Sequence, residues 1–196
     1  MEDALDMFDG MREKGVRVIV YPYNSLINGH CKQNDLDRAM GFLNEMAEIG
    51  VTLNAASYSP LIAGFCRKGD LSSAMAIHQE MAEKGVAWNT YTFTALIKGL
   101  CKDKKMDEAS RLFNEMIDSN LVPNEATYNV MIEGYFLVGN IRKVFQLYDQ
   151  MVDRGLTRDN DTYRPLISGL WLTSHALKAK EFVADLESEC SLNKFS

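Results

Sequence analysis

The chain has 196 residues, 46% of them hydrophobic, and a formal net charge of −6. That length holds one or two ordinary domains or a row of repeats, and the apolar content is enough to bury a real core. No apolar run approaches the roughly 18 residues of a membrane span, and the acidic balance taken alone argues against a polyanionic partner.

The first stretch, MEDALDMFDGMREKG, is acidic and amphipathic. It is neither a secretory signal nor an Arg/Ser-rich transit peptide, so any such address is expected outside this sequence or not at all. From residue 20 the apolar spacing turns helical. Tyr23, Leu26, Ile27 and His30/Cys31 stand at i, i+3, i+4 and i+7/i+8, one face of a helix. Pro22 falls in the first turn, where a missing N–H costs nothing. After a short break, Leu36, Ala39, Met40, Leu43 and Met46 form the stripe of a second helix. Asp35 is its expected N-cap, and Gly50 suits a left-handed end. The pattern then returns down the chain, with Asp70 and Asn140 as further N-caps of second helices. Pro60 and Pro165 lie about one turn deeper than Pro22, which predicts a mild kink or a slipped helix start. No strand-like alternation occurs.

The return is periodic. Gly29, Gly64, Gly99, Gly134 and Gly169 are spaced by 35, as are Met11, Met46, Met81, Met116 and Met151. Ile27, Ile62, Ile97, Ile132 and Ile167 keep the same step, and so do the aromatics Tyr23, Tyr58, Phe93, Tyr128 and Tyr163. The units run 20–54, 55–89, 90–124 and 125–159, with a half unit at 1–19 and a degenerate one at 160–194. One hairpin cannot bury its apolar face alone, whereas stacked hairpins can. The expected fold is all-α, a right-handed superhelical solenoid of stacked 35-residue helix-turn-helix repeats forming a single array. The half hairpin at 1–19 is expected to leave an apolar edge through which two copies could dimerise.

The segment YNSLINGHCKQNDLDRAMGFLNEM, its period, and the ending GLTRD at 155–159 resemble a pentatricopeptide repeat (PPR) protein. The resemblance is strongest to the P-type, restorer-of-fertility-like arrays of plant organelles. It spans essentially the whole chain. The rival tetratricopeptide repeat has period 34 and an early Trp and Leu-Gly, both missing here. The resemblance implies single-stranded RNA binding at one base per repeat. In the family the fifth and last residues of a repeat choose the base and the second stacks on it. Asn24 with Asn54 then implies cytosine, with uracil next. Ser59 with Asn89 and Thr94 with Asn124 imply adenine, and Asn129 with Asp159 implies uracil. The implied site is roughly 5′-C/U-A-A-U-3′. Residues Tyr21, Ala56, Tyr91 and Ala126 would flank the bases, and each stacked tyrosine would contribute about 1–3 kcal/mol. At the thirteenth place, Lys32, Arg67 and Lys102 would meet phosphate, whereas Leu137 and Leu172 would not. The resemblance also implies a plant organelle, the mitochondrion before the chloroplast, and a role in RNA processing, stabilisation or translation control.

The chemistry agrees with that implication. A splayed base shows its Watson–Crick edge; an amide both donates and accepts there, and a carboxylate only accepts. Asp159 therefore suits the N3–H of uracil. The first helices of the early units are basic and most second helices acidic, so a groove lined by first helices would be mildly positive despite the total. Cys31, Cys66 and Cys101 share one place in successive units, match no zinc spacing and read as buried thiols. The three histidines lie in no catalytic or metal pattern, and no phosphate-cradling or nucleophile motif occurs. No cofactor, metal, catalytic residue or small-molecule substrate is expected. The rival reading is a helical-repeat scaffold for protein partners.

Overall fold

The computed structural model describes residues 20–156 together with 162, 166 and 167. Eight helices follow one another among these residues, with no strand. They are α1 (Val20–Lys32), α2 (Leu36–Glu48), α3 (Ala55–Lys68), α4 (Leu71–Glu83), α5 (Thr90–Lys102), α6 (Met106–Asp118), α7 (Glu125–Leu137) and α8 (Ile141–Asp153). The chain forms two compact units, Met1–Gly99 and Leu100–Ser196, and the division falls within α5.

In the first unit, α1 packs on α2, α3 on α4, and α1 on α3. The apolar stripes read from the sequence are what is buried. Tyr23, Ile27, Leu36, Ala39, Leu43 and Met46 close one hairpin, and Tyr58, Leu61, Ile62, Ala74 and Met81 the next. Each large apolar side chain so buried contributes about 1.5–3 kcal/mol. A second aromatic feature occurs once. Trp88 stacks on His78 with ring centroids 4.7 Å apart and meets Phe93 edge-on at 5.6 Å. Burial there holds His78 below its ordinary value, hence neutral near pH 7. In the second unit α7 packs on α8 and α6 on α7. Phe113 meets Tyr128 edge-on at 5.5 Å, and the hydroxyls of Ser110 and Tyr135 share a hydrogen bond.

Local chemistry sets the helix ends. Asp35, Asp70 and Asn140 cap α2, α4 and α8 by accepting from the backbone N–H groups of Arg38, Ser73 and Lys143. Asp35 Oδ2 also lies 3.3 Å from the buried His30 Nδ1. Two left-handed positions recur per repeat. Gly50, Gly85, Asn120 and Gly155 end the second helices, and Asn34, Gly69, Lys104 and Gly139 end the first. A glycine suits both, yet Lys104 holds φ 58° with a full side chain. At Pro60 the sequence leads to a kink or a slipped start. The start does not slip: α3 begins at Ala55 and runs through Pro60, because Asn54 and Ser57 form a capping box that fixes the first turn.

The glycine column answers a question of space. A Cβ on Gly64 would stand 2.6 Å from Leu36 Cδ2, and one on Gly99 would stand 2.5 Å from Leu71 Cδ2. On Gly134 it would stand 2.6 Å from Cys101 Sγ and 2.9 Å from Cys101 Cβ. The glycine of each first helix thus faces the preceding hairpin, pressed most closely by the leucine that opens its second helix at Gly64 and Gly99 and by the cysteine of its first helix at Gly134.

Candidate nucleic-acid interface

The residues expected to read bases lie around the N-terminal turns of the first helices. Each fifth-place residue stands one turn into its helix, and Asn54, Asn89 and Asn124 each directly precede the next first helix. In the first unit this brings the two columns together. Asn24 Nδ2 donates to Asn54 Oδ1 at 3.4 Å, and Asn89 Nδ2 donates to Ser59 Oγ at 3.4 Å. Asn54 serves two purposes, because it is also the N-cap of α3: its Oδ1 accepts from the backbone N–H groups of Ala56 and Ser57. Asn89 Oδ1 accepts from Thr92 N–H in the same way.

The four fifth-place residues are not equivalent. Asn24, Thr94 and Asn129 are half-buried, whereas Ser59 is only 6% exposed. A serine is too short to stand clear of its helix, and its hydroxyl turns back to donate to Ala55 O at 2.5 Å. Thr94 does likewise, donating to Thr90 O at 2.7 Å. Both hydroxyls give their protons to the backbone, so toward other groups they act as acceptors. In the second unit Asn124 caps α7, its side chain accepting from the N–H and hydroxyl of Thr127. Asn129 Oδ1 accepts from the Thr162 hydroxyl at 2.6 Å. Asp159 lies outside the described residues, as do Arg164, Pro165, Leu172, His175, Cys190 and the half unit at 1–19.

The second-place side chains face solvent. Tyr21 is 77% and Tyr91 57% exposed, large values for aromatics, and Ala56 and Ala126 are not buried among apolar neighbours in the way the core columns are. At the thirteenth place Lys32, Arg67 and Lys102 are all exposed. Arg67 is partly engaged, since its guanidinium donates to the carbonyl oxygen of Cys31 at 2.9 Å.

A further column escaped the sequence reading. Ser57, Thr92, Thr127 and Thr162 occupy the third place of their units, and each side chain is fully buried. Ser57 donates to Asn24 Oδ1 at 2.8 Å and accepts from Asn54 N–H at 3.3 Å. Thr92 accepts from Asn89 N–H and donates to Asn89 O. The signal was present as a hydroxyl three residues after each unit's last Asn or Asp, the pattern of a capping box.

The cysteine column holds no reactive group. Cys31, Cys66 and Cys101 are buried free thiols. Burial pushes Cys31 up to about 11 and Cys101 up to about 12. No cluster of three metal-ligating side chains occurs among the described residues, and no described helix is long and apolar enough to cross a membrane.

Comparison with known families identifies the repeats. The PPR repeat family model matches residues 19–67, 53–102, 89–137 and 127–171, and the model of the single PPR repeat matches 1–16. The chain belongs to the pentatricopeptide repeat family. The maize pentatricopeptide repeat protein PPR10 superimposes with a TM-score of 0.72 at 19% identity over 92% of this chain and 26% of that one. The same protein in complex with an 18-nt psaJ RNA element gives 0.72 at 20% identity, over 93% and 27%. The PPR domain of Arabidopsis thaliana protein-only RNase P 1, in complex with tRNA, gives 0.71 at 21%, over 85% and 88%. These likenesses establish the fold, an all-α solenoid of helical hairpins. The chain spans about a quarter of the length of PPR10. No curated protein matches it.

Proposed function

We propose that this chain binds single-stranded RNA sequence-specifically, one base per repeat, at a site of roughly 5′-C/U-A-A-U-3′. The observation that carries the reading is the hydrogen-bonded pairing of a fifth-place with a last-place side chain in two successive repeats, Asn24 with Asn54 and Ser59 with Asn89. Small polar groups held as pairs at a regular step suit a ligand with a regular step of its own. The exposed Tyr21 and Tyr91 beside them supply stacking faces. Two proteins of the same fold are seen in complex with RNA, PPR10 and the PPR domain of the Arabidopsis RNase P. Thr94 with Asn124 and Asn129 with Asp159 complete the proposed site, and Lys32, Arg67 and Lys102 are proposed to grip phosphate. The chain acts as a binding module, without chemistry of its own, on a transcript in a plant organelle, of which the mitochondrion is favoured.

Titration with RNA containing CAAU, with a scrambled RNA and with the DNA equivalent, at two salt concentrations, tests this. Preference for CAAU RNA, weakened by salt, is the expected result. Equal affinity for all three, or none for any, overturns it, and the latter favours a scaffold for protein partners.

A further inference from the structure

We propose that Ser57 is a specificity-determining positioning residue: from the repeat after Asn24, it fixes which end of the Asn24 amide meets the base. This rests on the RNA-reading role proposed above and names what sets its preference at the first base.

The geometry leaves one consistent arrangement of protons. A serine hydroxyl has one proton to give. Ser57 Oγ accepts from Asn54 N–H at 3.3 Å, so one of its lone pairs is taken. Two acceptors lie within reach of its proton, Asn24 Oδ1 at 2.8 Å and Asn54 Oδ1 at 3.4 Å. Asn54 Oδ1 already accepts two backbone N–H groups, from Ala56 and Ser57. The proton goes to Asn24 Oδ1, the nearer and less crowded of the two. That turns the Asn24 carbonyl oxygen toward the buried hydroxyl and leaves its NH₂ group on the other side. One of those N–H bonds reaches Asn54 Oδ1 at 3.4 Å, and the second is left to a ligand.

A donor fixed in that place suits a base with an acceptor at the centre of its Watson–Crick edge, such as N3 of cytosine. It opposes uracil, whose N3 carries a proton. Without the Ser57 hydroxyl the amide turns freely, offers its oxygen as readily as its nitrogen, and loses the distinction. The second unit repeats the contact, with Thr162 donating to Asn129 Oδ1 at 2.6 Å; there the last place is Asp159 instead of an amide, and in the proposed site its carboxylate supplies the acceptor for the N3–H of uracil. Where the fifth place is serine, as at Ser59, the third-place hydroxyl of Thr92 bonds to the Asn89 backbone instead. Among Asn24, Ser59 and Asn129 the cross-repeat bond thus accompanies the amide.

The test measures the affinity ratio for short RNAs that begin CAAU or UAAU. Ser57→Ala is expected to lower the C-over-U ratio by roughly 3–10-fold, the worth of about one hydrogen bond. Preferences at the later bases stay unchanged, and Ser57→Thr restores the ratio. In an Asn24→Asp background Ser57→Ala leaves the ratio unaltered, because a carboxylate has two like oxygens. A helix-capping role alone would lower stability and weaken both RNAs equally. RNA binding with an undiminished C-over-U ratio in Ser57→Ala overturns this inference and leaves the RNA-binding reading standing. Absence of RNA binding by the unaltered chain overturns both.

Discussion

Arg67 reaches from the end of α3 to the carbonyl oxygen of Cys31, at the end of α1, across 2.9 Å. It adds a second, charged donor to a carbonyl in the last turn of the helix, which also accepts from the Asn34 N–H at 3.3 Å. Lys32 and Lys102 occupy the matching places in their own repeats and are exposed. The three cations are therefore expected to separate on mutation. Arg67→Ala should lower stability by about 0.5–1.5 kcal/mol, read by chemical denaturation. Lys32→Ala and Lys102→Ala should leave stability within about 0.5 kcal/mol. Each lysine variant should make RNA binding less sensitive to salt, the log–log slope falling by about 0.7 for every phosphate no longer neutralised.

The glycines within helices divide by what stands opposite them. Nothing lies within 4 Å of a Cβ added to Gly41, so Gly41→Ala should stabilise by about 0.5–1 kcal/mol through helix propensity. A Cβ on Gly134 would press on the Sγ and Cβ of Cys101, and the Cβ is held by the backbone and cannot swing away, so Gly134→Ala should cost about 1–3 kcal/mol. Gly64→Ala should cost less, because its nearest obstacle is the mobile methyl of Leu36. Thermal melts of the three variants give the order directly.

The buried thiols make stability fall at high pH. An ordinary cysteine titrates near 9, whereas Cys31 is pushed up to about 11 and Cys101 to about 12. The folded chain holds these protons more tightly than the unfolded one. The stabilisation is fully present below pH 9 and is lost as pH rises toward 11 to 12. Denaturation followed from pH 8 upward should show that decline, and Cys101→Ala should flatten part of it. At neutral pH an alkylating reagent should label these residues only after unfolding.

Base preference at the third repeat should follow its two side chains. Thr94→Asn combined with Asn124→Asp replaces a hydroxyl–amide pair by an amide–carboxylate pair, which can accept from the N3–H of uracil. RNA containing CAUU should then bind the double variant more tightly than CAAU, the reverse of the parent. Competition binding with the two RNAs decides it.

The fold was legible because it is written several times over. One buried tyrosine at helical spacing is weak, but Tyr23, Tyr58, Phe93 and Tyr128 in one register place a core. The caps at Asp35, Asp70 and Asn140 were equally plain, since each stands just before an apolar stripe. Column reading failed where a residue acts through a neighbour. The place of Asn24 was readable, but the orientation of its amide depends on Ser57, 33 positions on. Ser59 belongs to the same column, yet its length decides that it folds under. Features that occur once, such as Trp88 on His78, have no register to betray them. Lys104 shows the opposite failure: its column demands a left-handed backbone, and the residue type alone gives no hint of it.

Asn54 belongs to one repeat by its proposed reading role and to the next by the helix it caps. A gene rearrangement that joins repeats at residue 54 keeps Asn24 and Asn54 together while bringing in a foreign helix behind them. Any newcomer with Ser or Thr at its third place closes the same ring of bonds. Whole hairpins can therefore be gained, dropped or traded in evolution, and the proposed register on RNA would move by one nucleotide for each.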